Sequence, residues 1–147
     1  MIRQSRKPEI DKIMEIWLTS NLEAHSFVAV SFWKDHFEEV KEAIANGVLV
    51  YEEEQEIKGF IGGMDTYVAG LFVAKEYRGQ GIGKALLDAA KRQKQRLVLD
   101  AFVENKGAVA FYKREGFQIV SEKENEDTKH LEYLMEWNNT DRSMRHE

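Results

Sequence analysis

Gly79, Gly81 and Gly83 recur at every second position of the run Arg78-Gly79-Gln80-Gly81-Ile82-Gly83-Lys84, a spacing suited to holding an anion such as a pyrophosphate. Successive backbone amides can point at one anion only where no side chain crowds the approach, and glycine also admits the dihedrals such a loop needs. A helix that follows adds its unpaired first amides and the positive end of its dipole. Arg78 and Lys84 can add charge. A tight strand-to-helix connection, with the glycines needed for shape alone, is the plainer alternative. Two nucleotide fingerprints fail. A dinucleotide loop needs a glycine at its sixth position, where Lys84 or Leu86 stands, although Asp100 lies at roughly the distance of its ribose carboxylate. A P-loop ends in glycine, lysine and a hydroxyl residue, but Ala85 follows Lys84 and Arg78 takes the place of the first glycine.

Other side chains carry usable chemistry, each with a structural alternative. Tyr112, beside Phe111, is a hydroxyl donor or a core ring. Asn105 is suited to cap the helix that follows it. Asp100, near the end of an apolar run, is a base or the partner of a surface cation. His25 titrates in the range useful for base chemistry, yet a lone loop histidine also serves structure. Phe27, Phe32 and Trp33 wall a pocket or fill a core. The acidic runs Glu52 to Glu56 and Glu122 to Asp127 read as solvated turns, with a cationic acceptor as the alternative.

The 147 residues suit one domain over 1–137 and a polar tail over 138–147. With 21 basic and 26 acidic residues and no basic stripe, nucleic acid is not an expected partner. The absence of cysteine removes disulfides, thiolate zinc sites and a cysteine nucleophile, and no metal is expected. No apolar run suits a signal peptide or a membrane span, so a cytoplasmic protein, monomer or homodimer, is expected.

Periodicity supplies the positioning elements. A short strand over Ile2 to Gln4 precedes a helix with Ile10, Ile13, Met14 and Trp17 on one face, ending near Ser20. A loop from Asn21 to Ser31 leads to a second helix through Trp33, Phe37, Val40 and Ile44. Strands follow at Val48 to Tyr51 and Ile57 to Ile61, joined by the turn Glu52 to Glu56. A strand at Tyr67 to Val73 enters the glycine loop and a helix through Ile82, Leu86, Leu87 and Ala90. Arg96 to Phe102 is the next strand, parallel to the previous one because a helix joins them. A short helix at Gly107 to Arg114 and strands at Phe117 to Ser121 and Leu131 to Glu136 complete the order.

Arg78-Gly79-Gln80-Gly81-Ile82-Gly83 resembles the central signature of the GNAT acetyltransferases: arginine or glutamine, two residues, glycine, one residue, then glycine or alanine. Asn105 to Tyr112 followed by Gly116-Phe117 resembles that family's second signature. The similarity covers Leu71 to Phe117. It implies an α/β (α+β) fold, with a mixed, mostly antiparallel sheet of six to seven strands and about four helices, splayed between the fourth and fifth strands. It also implies acetyl-coenzyme A as donor and direct transfer to a primary amine on a small molecule or peptide. On this resemblance Phe72 and Val73 offer backbone groups to the pantetheine arm and one of their amides polarises the thioester. Arg78, Gly79, Gln80, Gly81, Ile82, Gly83 and Lys84 hold the pyrophosphate. Asn105 bonds the pantetheine, and Tyr112 protonates the leaving sulfur as general acid. Asp100, water or His25 is the base, with His25 and Phe27 near the acceptor. A coenzyme-A-binding regulatory module without catalysis is the alternative.

Overall fold

The computed structural model describes residues 1–139. One sheet runs in the order β1-β2-β3-β4-β5-β7-β6. Its strands are β1 (Ile2–Gln4), β2 (Leu49–Glu53), β3 (Glu56–Met64), β4 (Tyr67–Val73), β5 (Arg96–Phe102), β6 (Gln118–Glu124) and β7 (Leu131–Asn138). Among the described residues only β4 and β5 pair in parallel; the other neighbours are antiparallel. The helices are α1 (Ile10–Ala24), α2 (Val30–Asp35), α3 (Phe37–Ala45), α4 (Ile82–Arg92) and α5 (Lys106–Arg114). The mixed, mostly antiparallel sheet is the one expected, with five described α-helices in place of about four.

Each face of the sheet carries its own apolar layer. Leu86 and Leu87 of α4 pack with Leu97, Leu99 and Met135 on one side. Ile13, Met14 and Trp17 of α1 pack with Val50, Phe60 and Phe102 on the other. Alternation along β5 therefore sends Leu97, Leu99 and Ala101 toward α4, and Asp100 with Phe102 toward α1. In β4 the partners Gly62↔Gly70 and Gly63↔Val68 skip Ala69. The resulting bulge shifts the phase by one residue, so Val68, Leu71 and Val73 all join the α4 layer while Phe72 joins the other.

Three expectations about the elements change. The first helix continues past Ser20 to Ala24 because Asn21 Nδ2 donates to the Trp17 carbonyl (2.9 Å), keeping a turn-prone amide satisfied within the helix. The single helix read through Trp33 and Ile44 is two, α2 and α3, parted at His36. Trp33 and Phe37 both pack edge-on against Trp17, at 6.0 and 6.2 Å, so their spacing imitates one continuous apolar face. The five-residue acidic turn shrinks to Glu54-Gln55, both left-handed (φ 56° and 65°), with Glu53 paired to Glu56. Asn138 closes β7 opposite Arg96. Residues 140–147, the rest of the expected tail, lie outside the described residues. Among the described residues no helix is long and apolar enough to cross a membrane.

Candidate active site

β4 and β5 share register only at Tyr67↔Val98, where the Val98 amide donates to the Thr66 carbonyl (2.9 Å). Beyond that point the strands part, and a cleft of about 720 Å³ opens between them. The Ala74 amide donates to the Lys58 carbonyl (2.8 Å), which fixes the phase of the β3–β4 ladder. Leu71 and Val73 then occupy non-hydrogen-bonded positions opposite Ile61 and Gly59, with their amides and carbonyls turned away from β3 toward the cleft. Phe72 pairs with Phe60 and directs its backbone to β3. Of the two residues expected to offer backbone groups, Val73 faces the cleft and Phe72 does not. The second cleft-facing position is Leu71, which a strict count of alternation along the strand would identify. The Val73 carbonyl already accepts from Arg78 Nε (3.1 Å).

At the mouth of the cleft, Gly79 and Gly81 take φ of +80° and +82°. A β-carbon at either would touch nothing within 4 Å, so it is the left-handed backbone rather than crowding that calls for glycine. Gly81 caps α4, and the Ala85 amide closes the first helical bond to its carbonyl (3.0 Å). The amides of Ile82, Gly83 and Lys84 consequently lack helical partners and sit at the positive end of the α4 dipole. Ile82, only 3% exposed, pins this turn to the core, while Gln80 stands in solvent. Both nearby cations are engaged by acids. Arg78 meets Glu23 of α1 (2.5 Å), and Lys84 meets Asp88 (3.3 Å) and Glu115 (3.1 Å). An incoming phosphate thus competes with carboxylates for the cations but has the amides to itself.

Tyr112 stands on α5 with its ring between Phe111 and Phe117, at 5.3 and 5.4 Å. It is buried, burial pushes its pKa well above the ordinary phenol value, and its hydroxyl has no hydrogen-bond partner among the described residues. That side chain lines the cleft as a protonated donor with no acceptor among the described residues.

Asn105 caps α5, its Oδ1 accepting from the Ala108 amide (3.2 Å). Its Nδ2 then donates to His25 Nε2 (3.0 Å), and His25 Nδ1 donates to Asn21 Oδ1 (3.1 Å), because Asn21 Nδ2 is committed to Trp17. The network assigns a neutral imidazole with its lone pair already used. His25 stacks on Trp33 (5.4 Å) and meets Phe102 edge-on (5.0 Å), and burial lowers its pKa to about 4. It ties α1 to the cap of α5 and is poorly placed as a base. Unfolded histidine titrates near ~6.5, so between these values the unfolded chain binds the extra proton and stability falls as the pH drops. Urea unfolding of wild type and His25→Gln should show it: the wild type's advantage shrinks by about 1 kcal/mol between about pH 7.5 and about pH 5.

Asp100 accepts from the Tyr67 hydroxyl at Oδ2 (3.1 Å), while its Oδ1 is sealed from solvent and has no partner among the described residues. Burial, then the Asp100 charge, pushes the Tyr67 hydroxyl up to about 12. Glu132 of β7, absent from the expectations, also lines this end of the cleft. No sequence signal marks it, because β7 reaches β5 only through the sheet order. Phe27, expected near the acceptor, is not among the residues lining the cleft; it meets Phe102 (5.4 Å), which does line it, and His130 (5.0 Å). Phe32 packs on Trp33 (4.9 Å). Among the described residues no group of three or more His, Cys, Asp or Glu is arranged to hold a metal ion.

Residues 45–119 match the family model described as an acetyltransferase (GNAT) domain. The chain is 33% identical over 140 residues to the peptidyl-lysine N-acetyltransferase YiaC of Escherichia coli strain K12, covering 93% of this chain and 96% of that one. It is 30% identical over 128 residues to the peptidyl-lysine N-acetyltransferase YjaB of Salmonella typhimurium, covering 86% and 88%. The solution structure of apo-form YjaB from Escherichia coli superposes with a TM-score of 0.81 at 25% identity, over 93% of this chain and 96% of that one. A parted parallel strand pair, a left-handed glycine loop capping the next helix and an unpartnered tyrosine hydroxyl agree with that kinship, and the chain belongs to the GNAT family of N-acetyltransferases.

Proposed function

We propose that the enzyme moves the acetyl group of acetyl-coenzyme A directly to lysine side-chain amines of proteins or peptides. The carrying observation is the single cleft that joins the open amides of the glycine loop to an acidic end at Asp100 and Glu132. The relatives named above as peptidyl-lysine acetyltransferases support the same acceptor class.

The amides of Ile82, Gly83 and Lys84 bind the pyrophosphate, and those of Leu71 and Val73 bind the pantetheine arm along the free edge of β4. One outward β4 amide polarises the thioester carbonyl, a contribution of about 3 kcal/mol for a well-aimed donor. Tyr112 belongs to the α4 layer, whereas Asp100 shares the α1 side with Phe102. The amine therefore enters from one face of the sheet and the sulfur is met on the other by the Tyr112 hydroxyl. Orientation of the two reactants supplies much of the rest.

Free-thiol release from acetyl-coenzyme A tests this reading across three panels: lysine peptides with blocked N-termini, peptides with a free α-amine and no lysine, and small polyamines. Lysine peptides should sustain turnover, with a mass gain of one acetyl group on the side chain. Turnover confined to α-amines or polyamines would move the acceptor assignment, and no release with any amine would remove the transfer itself.

A further inference from the structure

Resting on the reading of the glycine loop as the pyrophosphate site, we propose that Tyr77 is that loop's positioning residue, clamped by Glu53, Glu56 and Lys58 of the acidic β2–β3 hairpin. Tyr77 closes the short 3₁₀ turn Lys75–Tyr77 between β4 and Arg78. Its hydroxyl donates to Glu56 Oε1 (2.6 Å), and Lys58 Nζ lies over its ring, 4.3 Å from the centroid. Lys58 Nζ is itself fixed by Glu53 Oε1 (3.0 Å), and the Lys58 carbonyl accepts from the Ala74 amide (2.8 Å). One β3 residue therefore holds the turn at its start by backbone and at its end by side chain. Within the acidic run, Glu53 and Glu56 serve this clamp and Glu52 pairs with Arg3 (2.8 Å), so neither the solvated turn nor the cationic acceptor describes these three.

The loop has little else to keep its shape. A β-carbon on Gly79 or Gly81 would touch nothing within 4 Å, and Gln80 is exposed. Arg78 is tied to Glu23 in an exposed ion pair, an interaction of small worth that a bound phosphate would compete with. What remains are the two ends. Ile82 is buried in the core, and it sits against β3 because residue 59 is a glycine: a β-carbon there would stand 3.3 Å from Ile82 Cγ2 and 2.7 Å from the Phe72 carbonyl oxygen. Tyr77 is the other end, and its partners Glu56 and Lys58 stand just before that glycine on the same strand.

Lys58 is only 6% exposed, and a cation shielded from water gains more from a ring than a solvated one does. The bond to Glu56 raises the Tyr77 pKa and the bond to Glu53 raises that of Lys58, so both donors keep their protons. A ligand is bound only by the fraction of loop already in the binding shape, and loosening Tyr77 raises the apparent Kd in proportion. On this reading the loop amides take the pyrophosphate while the pantetheine arm lies on β4. The loss should therefore fall on coenzyme A and spare pantetheine. Glu53, Glu56 and Lys58 are not among the residues lining the cleft, whereas Tyr77 is, so their effect reaches the ligand through Tyr77.

The experiment is calorimetric titration with coenzyme A of wild type, Tyr77→Phe, Tyr77→Leu, Lys58→Met, Lys58→Arg and the combination of Tyr77→Leu with Lys58→Met. Pantetheine affinity is read from its displacement by coenzyme A, and thermal unfolding certifies the fold. Tyr77→Phe keeps the ring and loses the bond to Glu56; its Kd for coenzyme A should rise about fivefold. Lys58→Met loses the charge and should raise it about tenfold, while Lys58→Arg, which can still pair with Glu53 and cover the ring, stays within about twofold of wild type. Tyr77→Leu should raise it about twentyfold, and adding Lys58→Met to that background should cost less than about twofold more. Pantetheine affinity should stay within about twofold throughout. Coenzyme A affinity within about twofold of wild type in both Tyr77→Phe and Lys58→Met overturns the proposal. So does a parallel loss of pantetheine affinity, the mark of a general loosening of the fold, and so does an undiminished effect of Lys58→Met in the Tyr77→Leu background. A wild type that binds pantetheine as tightly as coenzyme A overturns the reading of the glycine loop itself, and the clamp's role with it.

Discussion

Gly81→Asp should weaken coenzyme binding by about a hundred- to a thousandfold while the chain still folds. Gly81 sits at φ +82° where α4 begins, and a β-carbon there meets no neighbour within 4 Å, so the substitution meets only the left-handed backbone. Aspartate tolerates that region at a cost of about 1 kcal/mol. Its charge is the larger matter. A carboxylate about 4 Å from a phosphate charge costs ~4 kcal/mol at an effective dielectric of ~20, and the flanking cations are already shared with Glu23, Asp88 and Glu115. Gly81→Ala separates the two effects: it should lose about 1 kcal/mol of stability and less than tenfold in affinity. Calorimetric titration with coenzyme A, alongside thermal unfolding, reads both. Unchanged affinity in the aspartate variant would take the loop out of the site.

Tyr112→Phe should lower kcat by about a hundred- to a thousandfold, with KM for the coenzyme within about threefold. The hydroxyl has no hydrogen bond to lose among the described residues, and the ring keeps its contacts with Phe111 and Phe117, so the melting temperature should hardly move. That combination separates chemistry from packing. Because burial keeps the phenol protonated throughout the working range, no loss of wild-type activity from Tyr112 ionisation is expected up to about pH 10. A variant that lost coenzyme affinity and turnover in equal measure would make Tyr112 a packing residue. A variant with intact turnover would leave the sulfur to be protonated by water.

Much of this site is legible in the sequence because its chemistry is local. A glycine loop between a strand and a helix needs only neighbouring residues to declare itself, and Asn105 caps the helix just ahead of it. The bulge at Ala69 has no such mark: Gly70 follows it, but the extra residue is defined by what β3 opposes to it. Leu71 rather than Phe72 turns its backbone to the cleft because it shares the phase of Val73, which the Ala74–Lys58 hydrogen bond fixes. The partner of Arg78 lies 55 residues away on α1, and that of Asn105 lies 80 residues away at His25. Glu132 escapes for a topological reason. β7 inserts between β5 and β6, so a residue on a late strand comes to lie beside the strand of Asp100. The break at His36 escapes because no glycine or proline announces it and two aromatic residues four apart mimic an unbroken helix.

The short parallel contact between β4 and β5 leaves the sheet as two ribbons joined at one end. A pantetheine arm lying along β4 would complete that join, so on the proposed reading the donor becomes part of what holds the native state together. Occupancy at a hundred times Kd would add about 2.7 kcal/mol against unfolding. The lifetime of the enzyme against proteases would then rise and fall with the supply of its acetyl donor, making abundance as well as turnover a readout of that supply.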